Sequence, residues 1–565
     1  MVPKNKILGF HDLLFTSRNH QLPWVIDQKQ QHIGMGYLLK LADKILINLA
    51  KELNELHQCE KSVRYWHLLL GSWLMQFLAV LYDRFSLLEQ LSQESSKFHL
   101  ELSVKSKITP RNTYEALKLA ETEHFNNQIV RDILENIDFF DFEIVPTENE
   151  LCFATTPNFG GNNGFKKKIL NSLSRLFMSK SSFVASIGAF PLRVQSKLIP
   201  KFKRLRPIYP YIDGVENYNH TIDSNKRSEL SLSCMSEDQF ENLFYRLLPK
   251  YIPVCFVEGF SKLTSLSKRY GSYPQAVLVG TEVYYRYESF MNWVAESGEN
   301  GTTLLSMQHG GVYGTEFRCE KTFIEVNPFD TFYTWGWEWE QLSRSKNSRV
   351  KAMPSLFLVD QIRRGLVRDP KDKILLLTTS KNQSPRRFDG AVNFTYSNEQ
   401  YFTAQTVFYA CLEDSIRSNT MVRLYKDDLR NNYKSRWEQK FVDVKFDTDP
   451  SFESSLSNTR LLIVDHISTT WLEAVASNIP FILYVEGDVY DFAPEFYKLL
   501  QSLKEVSIFF ETAQAAAEAV NLVCTDIDSW WWSTEVQNVL IRARHLMAFS
   551  PENSEEIWLE ELKNQ

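Results

Sequence analysis

Two hydrophobic patterns divide the chain. Between residues 25 and 140, apolar residues recur every three or four positions, as in KLADKILINLAKELNELH, and this spacing predicts amphipathic helices. From about residue 250, short apolar runs alternate with helical segments, which predicts β-α-β units and parallel sheets. We therefore predict an α/β protein with two doubly wound, Rossmann-like domains and a helical N-terminal elaboration.

Eight apolar runs are the predicted strands. They are VCFV (254–257), AVLVG (276–280), TTLLSMQ (302–308), TFYTWG (331–336), KILLLTTS (373–380), MVRLYK (421–426), RLLIVDH (460–466) and PFILYV (480–485). The patterns divide the chain into a mainly helical part (1–150), a basic, irregular segment (151–225), a first α/β lobe (226–350) and a second α/β lobe with C-terminal helices (351–565). Two such lobes would face one cleft, with ligands beyond the carboxyl ends of the strands.

Membrane spans and disulfides are not expected. The longest apolar stretch, Trp66 to Leu81, is short for a span and is more typical of a buried helix. The seven cysteines are scattered and form no C-x-x-C pair, which argues against a disulfide framework and a structural zinc site. The first residues contain no pattern of a signal peptide. We therefore expect a cytoplasmic protein.

The net charge of −6 is unevenly distributed. Between Lys166 and Arg206 there are 11 Lys and Arg residues and no acidic residue, interleaved with Phe, Leu and Ile. This pattern predicts an anionic partner such as the inner face of the membrane, where the protein would be peripheral. A solvated basic face is the alternative. Nucleic acid is not expected, because the chain is acidic and contains no nucleic-acid module.

A histidine and two glycines follow a predicted strand of the first lobe. In QHGGVYG (308–314), the glycines allow a close backbone approach to a ligand, and His309 can exchange a proton near neutral pH. We predict His309 as a catalytic residue. The other predicted substrate-binding residues of this loop are Gln308, Gly310, Gly311 and Tyr313. A tight turn with an incidental histidine would have the same sequence.

Two carboxylates of the first lobe also follow predicted strands. Glu282 comes after the strand at 276–280, and Glu258 comes after the strand at 254–257. A carboxylate can stabilise an oxocarbenium-like state or deprotonate an acceptor hydroxyl. Glu282 is therefore the second predicted catalytic residue, and Glu258 is predicted to bind substrate. A glutamate favoured by a helix dipole is the alternative for Glu282.

The corresponding cluster of the second lobe is VDHISTTWLEA (464–474). Free N–H groups at a helix start bind phosphate, and nearby hydroxyls add donors. The predicted ligands are Asp465, His466, Ser468, Thr469, Thr470 and Glu473, with the last on a ribose hydroxyl. Ordinary helix capping is the alternative. Lys381, Arg423 and Lys426 follow other strands and could reach a phosphate or a sugar carboxylate.

Several enzyme classes lack their motifs here. The chain has no G-x-x-x-x-G-K-[ST], G-x-G-x-x-G, H-E-x-x-H or G-x-S-x-G sequence. No D-x-D stands at a predicted strand end, so we expect neither a metal nor a cofactor.

Several motifs together resemble a family of transferases encoded in bacterial O-antigen and capsule clusters. They are YWHLLLGSWL (65–74), LYDRF (81–85), QHGGVYG, TFYTWGW (331–337), VDHISTTWLEA and NIPFILY (478–484). The arrangement is also similar, more distantly, to capsule Kdo transferases, which use CMP-sugars on a GT-B fold. Their catalytic acid precedes the QHG motif by some thirty positions. Glu282, 27 positions before His309, is the nearest match, although an Asp is usual there.

The resemblance implies a GT-B-like, metal-independent glycosyltransferase of surface polysaccharide biosynthesis. Its donor would be a CMP-linked ulosonic acid, either Kdo-like or nonulosonic, and its acceptor a glycan or a lipid-linked glycan. A CDP-alcohol phosphotransferase and a non-enzymatic polysaccharide assembly factor are the alternatives. The sugar, the linkage and the oligomeric state are not determined by the sequence.

Overall fold

The structure is a computed structural model. It describes residues 7–9, 28–92, 99–103, 107–137, 143–147, 179–186, 188–208, 218–230, 236–339, 348–364, 372–380, 398–426, 432–486 and 490–565. Within these ranges, two six-stranded sheets and one three-stranded sheet are present, and all strand pairs in them are parallel. The α/β prediction with two doubly wound domains is confirmed.

The first lobe is built on one six-stranded sheet. Its strands are β4 (Phe183–Ser186), β5 (Leu205–Ile208), β6 (Ala276–Val279), β7 (Thr303–Met307), β8 (Thr331–Thr334) and β9 (Arg349–Ala352), in the order β5-β4-β6-β7-β8-β9. The order reverses between β4 and β6, and ligands of such sheets bind beyond the carboxyl ends of the strands at this kind of point.

The second lobe has the strand order of a standard dinucleotide-binding sheet. Its strands are β10 (Lys373–Leu377), β11 (Thr420–Arg423), β12 (Lys445–Phe446), β13 (Thr459–Val464), β14 (Phe481–Tyr484) and β15 (Phe509–Phe510), in the order β12-β11-β10-β13-β14-β15. Its reversal lies between β10 and β13. The predicted ligand cluster 464–474 therefore begins beside this reversal.

Both faces of the first sheet are covered. Val277 and Val279 of β6 pack in one core with the N-terminal helices, whereas Ala276 and Leu278 pack in another core on the opposite face. Because side chains alternate along a strand, one continuous apolar run supplies both cores.

Helices of the N-terminal part and the first lobe are Gln28–His57, Val63–Ser92, Thr113–Leu119, Glu123–Asn136, Leu192–Lys201, Ser224–Ser228, Gln239–Tyr251, Phe260–Ser267 and Glu288–Glu299. Shorter turns of 3-10 helix occupy Val254–Phe256, Lys268–Tyr270 and Thr281–Tyr285, and a π-helix occupies Thr322–Val326. The small third sheet consists of β1 (Ile7–Gly9), β2 (His99–Ser103) and β3 (Glu143–Thr147). No pattern in the sequence predicted this sheet.

Helices from residue 356 onwards are Leu356–Arg364, Asn398–Ala410, Asp414–Arg417, Tyr433–Lys440, Phe452–Ser457, Thr469–Ser477, Pro494–Glu505, Ala513–Val523, Ile527–Trp531, Thr534–Met547 and Ser554–Asn564. Within the described ranges, no helix is both long enough and sufficiently apolar to cross a membrane.

One of the eight predicted strands is not a strand in the structure. The run 254–257 is a 3-10 turn rather than a strand, and the N–H groups of Val254 and Cys255 donate to the carbonyls of Pro110 and Arg111. A short run that is apolar on every side does not distinguish a strand from another buried segment.

The predicted lobe boundaries also differ from the structure. Strands β4 and β5 lie within the segment expected to be irregular, so the first sheet begins near residue 183 instead of 226. At the other end of the chain, Trp558 and Leu562 of the last helix pack in a core of the first lobe. The second lobe therefore does not include the C-terminal helix.

Candidate active site

The predicted histidine loop of the first lobe contacts the predicted phosphate-binding helix of the second. The N–H of Gly311 donates to Thr469 Oγ1 at 3.0 Å. A Cβ atom at Gly311 would lie far inside contact distance of the Ser468 carbonyl oxygen, whereas one at Gly310 would be 3.4 Å from Thr469 Oγ1. Only a glycine fits at position 311 without moving the lobes apart. These two clusters, 158 residues apart, are therefore brought together.

A second contact fixes the lobes directly beyond this loop. The Phe317 N–H donates to the Asp491 carbonyl at 2.7 Å, and the Ala493 N–H donates to the Thr315 carbonyl at 2.9 Å. Arg318 Nε lies 2.7 Å from Asp491 Oδ2 in an ion pair. The junction thus combines backbone pairing with opposite charges, which fixes its register.

His309 is held by a buried hydrogen-bond network. Its Nε2 lies 2.5 Å from the Tyr313 hydroxyl and 3.3 Å from Glu325 Oε2. The Tyr313 hydroxyl donates to Glu325 Oε2 at 2.8 Å, and the Tyr285 hydroxyl donates to Glu325 Oε1 at 3.3 Å. Burial and the Glu325 carboxylate raise the pKa of Tyr313 well above its usual value. The Tyr313 hydroxyl therefore keeps its proton, and its two hydrogen bonds link Glu325 to His309.

Glu325 was not predicted from the sequence. It is fully buried and belongs to the π-helix Thr322–Val326. Such π turns inside helical segments are rare and are frequent at functional sites. No motif marks this glutamate, and the π turn that aims it at His309 depends on tertiary packing.

The side chains of Gln308 and Tyr313 in the histidine loop contact other residues of the protein. Gln308 Oε1 accepts from the Trp335 N–H and from Trp337 Nε1, each at 2.9 Å, and its Nε2 donates to the Gly310 carbonyl at 2.8 Å. Its amide thus fixes the loop, and a substrate contact of Gln308 stays a prediction. Tyr313 is likewise 4% exposed and lies behind His309.

The second lobe places an Asp-His pair beside its strand reversal. His466 Nδ1 lies 2.7 Å from Asp465 Oδ1, directly after β13. Asp465 also accepts from the Tyr401 hydroxyl and from Gln405 Nε2, both at 2.8 Å. Since Nδ1 faces a carboxylate, it carries a proton, and the Nε2 atom of His466 is left for other partners.

The helix Thr469–Ser477 begins at the lobe junction. Ser468 is its N-cap and accepts from the Thr470 N–H at 3.4 Å. Both predicted alternatives, capping and a helix N-terminus aimed at a ligand, are compatible with this geometry. Glu473 lies one turn further on. Burial raises its pKa to about 7, opposed by a hydrogen bond to Gln361.

Several predicted ligands are engaged elsewhere. Glu258 forms a bidentate ion pair with Arg227 at 2.7 and 2.8 Å. Burial alone would raise the pKa of Glu258, but hydrogen bonds and charge from Arg227 hold it below its usual value. Since residues 254–256 form a turn, Glu258 does not end a strand of the sheet, which corrects its predicted position.

The predicted basic ligands divide into three cases. Arg423 pairs with Asp447 and donates to the Asp449 carbonyl, so its charge is already neutralised. Lys426 is exposed beyond β11. Lys381 lies outside the described residues.

Glu282 is the other predicted catalytic residue. Its backbone is part of the 3-10 turn Thr281–Tyr285 after β6, next to β7, and its side chain lies outside the described residues. Its catalytic role stays a prediction. Metal-independent chemistry also stays a prediction. Among the described residues, no group of three or more His, Cys, Asp or Glu is arranged to hold a metal ion.

Solved structures similar to this chain include glycosyltransferases and a polymerase. WaaG, a glycosyltransferase involved in lipopolysaccharide biosynthesis, is 10% identical with a TM-score of 0.28, over 55% of this chain and 96% of its own. The wall teichoic acid polymerase TagF is 12% identical with a TM-score of 0.34, over 71% of this chain and 93% of its own. Such scores are too low to bear on the function of this chain.

No curated protein matches the sequence. The model of the LIC12162 family transferases matches residues 17–562, which is nearly the whole chain and includes both lobes and the histidine loop between them. The chain therefore belongs to the LIC12162 family of transferases.

Proposed function

We propose that this transferase is a glycosyltransferase of surface polysaccharide biosynthesis, which moves a sugar from a nucleotide-activated donor to a glycan acceptor. One observation carries the proposal. The His309 loop of the first lobe and the start of the helix Thr469–Ser477 in the second lobe contact each other through Gly311 and Thr469. A histidine, which can accept a proton, and a helix start, which can bind an anion, thus lie at one junction. This arrangement suits a reaction whose leaving group is a phosphate.

In this proposal, His309 is the general base. The Tyr313 hydroxyl donates a hydrogen bond to Glu325, so its oxygen can accept one from His309. The Nε2 atom of His309 therefore carries the ring hydrogen, and Nδ1 carries the lone pair. Nδ1 takes the proton of the acceptor hydroxyl as its oxygen attacks the anomeric carbon of the donor. The imidazolium that forms is stabilised by the fully buried Glu325 carboxylate.

The leaving group departs towards the second lobe. The bond between the anomeric carbon and the phosphate oxygen breaks, and negative charge grows on the phosphate. We assign this charge to the first N–H groups of the helix Thr469–Ser477 and to the hydroxyls of Ser468 and Thr470. His466, whose Nδ1 is hydrogen-bonded to Asp465, adds a donor through Nε2 when both of its ring nitrogens carry a proton.

The donor we propose is a CMP-linked ulosonic acid. Its support is the resemblance of QHGGVYG and VDHISTTWLEA to motifs of the capsule Kdo transferases. A nucleoside monophosphate leaving group carries one phosphate, which the helix start and His466 can neutralise without a metal.

We also propose that the basic segment 166–206 holds the enzyme at the inner face of the membrane, near a lipid-linked acceptor. The described part of this segment includes the helix Leu192–Lys201, which buries Val194 and Leu198 and exposes Arg193. A helix with a buried apolar face and exposed basic residues can contact anionic lipid while it remains attached to its lobe.

Two experiments test the function. Thermal-shift measurements with CMP, CDP, UDP and GDP identify the nucleotide, because a ligand that binds the folded state raises Tm. With the donor found, His309→Ala should lower kcat about 10²–10⁴-fold while the Tm shift by nucleotide is retained. Transfer of a phosphate-bearing group would instead indicate the CDP-alcohol phosphotransferase, and no nucleotide binding would indicate the assembly factor.

A further inference from the structure

A buried hydrogen-bond network lies behind His466, at the reversal of the strand order in the second lobe. The helix Asn398–Ala410 carries Tyr401 and Gln405 four positions apart, so both side chains lie on one face of this helix. The Tyr401 hydroxyl donates to Asp465 Oδ1 and Gln405 Nε2 donates to Asp465 Oδ2, both at 2.8 Å. All three side chains are buried, and each oxygen of the carboxylate is held from the same helix.

A backbone group determines the direction of these hydrogen bonds. The Thr379 N–H, just beyond β10, donates to the Tyr401 hydroxyl oxygen at 3.0 Å, so the hydroxyl proton is directed at Asp465. Burial and the Asp465 carboxylate raise the pKa of Tyr401 well above its usual value, and the hydroxyl therefore keeps this proton. Both oxygens of Asp465 thus accept, and the Nδ1 atom of His466, 2.7 Å from Oδ1, is the donor.

The other ring nitrogen of His466 has no such partner. In the described part of the chain, no hydrogen bond or ion pair reaches its Nε2 atom. The ring is buried and lies two positions before Ser468, the N-cap of the helix Thr469–Ser477, whose first N–H groups we assign to the leaving phosphate. Because a hydrogen bond at one nitrogen fixes both the tautomer and the orientation of the ring, the network determines which atom His466 offers to a ligand.

The chemistry of this network favours a role beyond packing. Burial of a carboxylate is unfavourable, and within the described residues neither Lys nor Arg forms an ion pair with Asp465. Apolar side chains of similar shape would often stabilise a lobe at least as well. In the first lobe, Tyr313 and Glu325 form the same kind of arrangement behind His309, from unrelated elements of the chain.

We propose that Tyr401 and Gln405 are positioning residues of the nucleotide site, which hold Asp465 so that His466 directs Nε2 at the phosphate of the leaving nucleotide. The inference rests on the proposed function and adds two residues that act on the phosphate only through His466. When the ring carries both protons, Nε2 donates a charge-assisted hydrogen bond to the phosphate. Without either hydrogen bond, the Asp465 carboxylate can turn, the ring is held less firmly, and this contact weakens.

The test compares a nucleotide with its own nucleoside on the full-length protein, by calorimetry or ligand-observed NMR. The nucleotide is whichever of CMP, CDP, UDP and GDP binds, and the nucleoside shares its base and ribose but has no phosphate. Tyr401→Phe and Gln405→Leu should each weaken the nucleotide about three- to tenfold and leave the nucleoside within about twofold. Tyr409→Phe should change neither and is the matched control, since Tyr409 is buried on the same helix but packs on Trp437 and Phe441.

A double-mutant cycle separates positioning from packing. His466→Gln alone should weaken the nucleotide about tenfold or more, and adding Tyr401→Phe should weaken it by less than about a further twofold. Equal losses of nucleotide and nucleoside would overturn the inference, as would a Tyr401→Phe loss that persists in the His466→Gln protein. Nucleotide binding that neither Tyr401→Phe nor Gln405→Leu weakens would contradict this inference alone. No binding of any of the four nucleotides would contradict the proposed function and the inference with it.

Discussion

At the residue scale, the least expected feature of the site is the carboxylate behind His309. Glu325 is fully buried, and its Oε2 lies 3.3 Å from His309 Nε2. We expect Glu325→Gln to lower kcat about 10²-fold or more with little change in KM, because the amide cannot neutralise the imidazolium formed during transfer. Steady-state kinetics on the purified variant measure both constants.

Tyr285→Phe is the control for this prediction. Tyr285 also donates to Glu325, at 3.3 Å, but no contact joins it to His309 in the described structure. Its removal should change kcat less than threefold, about 0.7 kcal/mol in the barrier. Equal losses in the two variants would mean that Glu325 acts only through packing, and its role as a counter-charge would be rejected.

The glycines of the histidine loop give a second prediction at this scale. In Gly311→Ala the new methyl group collides with the Ser468 backbone, which cannot rotate away as a side chain could. We expect a loss of about 1–3 kcal/mol in the free energy of unfolding, together with a strong loss of transfer activity, since the lobes must separate. Urea melts and activity assays measure both.

The neighbouring substitution is the matched control. In Gly310→Ala the methyl group lies 3.4 Å from Thr469 Oγ1 and 4.0 Å from Tyr313 Cε2, which are close to ordinary contact distances. This variant should stay within about 1 kcal/mol of the parent protein. If the two variants behave alike, the contact between the lobes is not what requires glycine at position 311.

At the element scale, local signals set what the sequence could predict. The start of the helix Thr469–Ser477 was predicted from VDHISTTWLEA, where Ser468 is the capping residue, and Asn478 ends the helix at a φ of 51°. Seven of the eight predicted strands are strands of the two sheets, since each is an apolar run with turn residues around it.

The strands and contacts that the sequence did not predict are determined by residues that are distant in the chain. Strands β4 and β5 lie among basic residues, and their edges are recognised only through the neighbours they pair with in the sheet. β12 and β15 contain two residues each, which is too short for any periodicity. The helix start and the histidine loop could be named as candidates, but their contact through Gly311 could not be predicted, because it joins residues 158 positions apart.

The same helix Thr469–Ser477 contains a titrating carboxyl. Burial raises the pKa of Glu473 to about 7, from 4.5 in the unfolded chain. Since ionisation is disfavoured in the folded state, the folded protein loses stability as the pH rises from 4.5 through 7, by about 3 kcal/mol in total. Glu473→Gln should therefore be more stable than the parent protein at pH 8 and similar at pH 4.5, as measured by Tm.

Glu518→Gln is the control, because Glu518 lies on the helix Ala513–Val523 and bonds only Gln514 within the described residues. Its Tm difference from the parent protein should not depend on pH over this range. A Glu473→Gln variant with the same difference at both pH values would show that folding does not raise the pKa of Glu473.

At the scale of the whole molecule, the two lobes are joined by more than the linker between them. Tyr333 of β8 donates to Glu561 at 2.7 Å, and Trp558 donates to the Pro354 carbonyl at 2.8 Å, so the last helix, Ser554–Asn564, is part of the first lobe. It also carries Glu555 and Glu556, which pair with Lys197 and Lys201 of the basic segment at 3.5 and 3.8 Å. Part of the basic charge is thus neutralised within the protein.

This partial neutralisation sharpens the membrane prediction. Lys201 and Lys203 lie in the described part of the basic segment, and Lys166, Lys167 and Lys168 lie outside the described residues. Replacing all five with Ala should reduce sedimentation with anionic liposomes about tenfold or more, since each basic residue near such a surface contributes about 1 kcal/mol. Hydrolysis of free donor should be unchanged, because in this proposal the basic segment acts in docking to the membrane and not in the transfer step.

Three exposed lysines of the second lobe provide the control for the liposome experiment. Ala at Lys434, Lys445 and Lys498 of the second lobe removes exposed positive charge without touching the basic segment. If these changes reduce liposome binding as much per lysine, attraction depends on net charge alone and the basic segment is not a docking surface. If only the segment variant loses binding, and it recovers none when Glu555 is also replaced with Gln, the lipid contact depends on the five replaced lysines. Recovery would instead assign part of the contact to Lys197, released from its ion pair with Glu555.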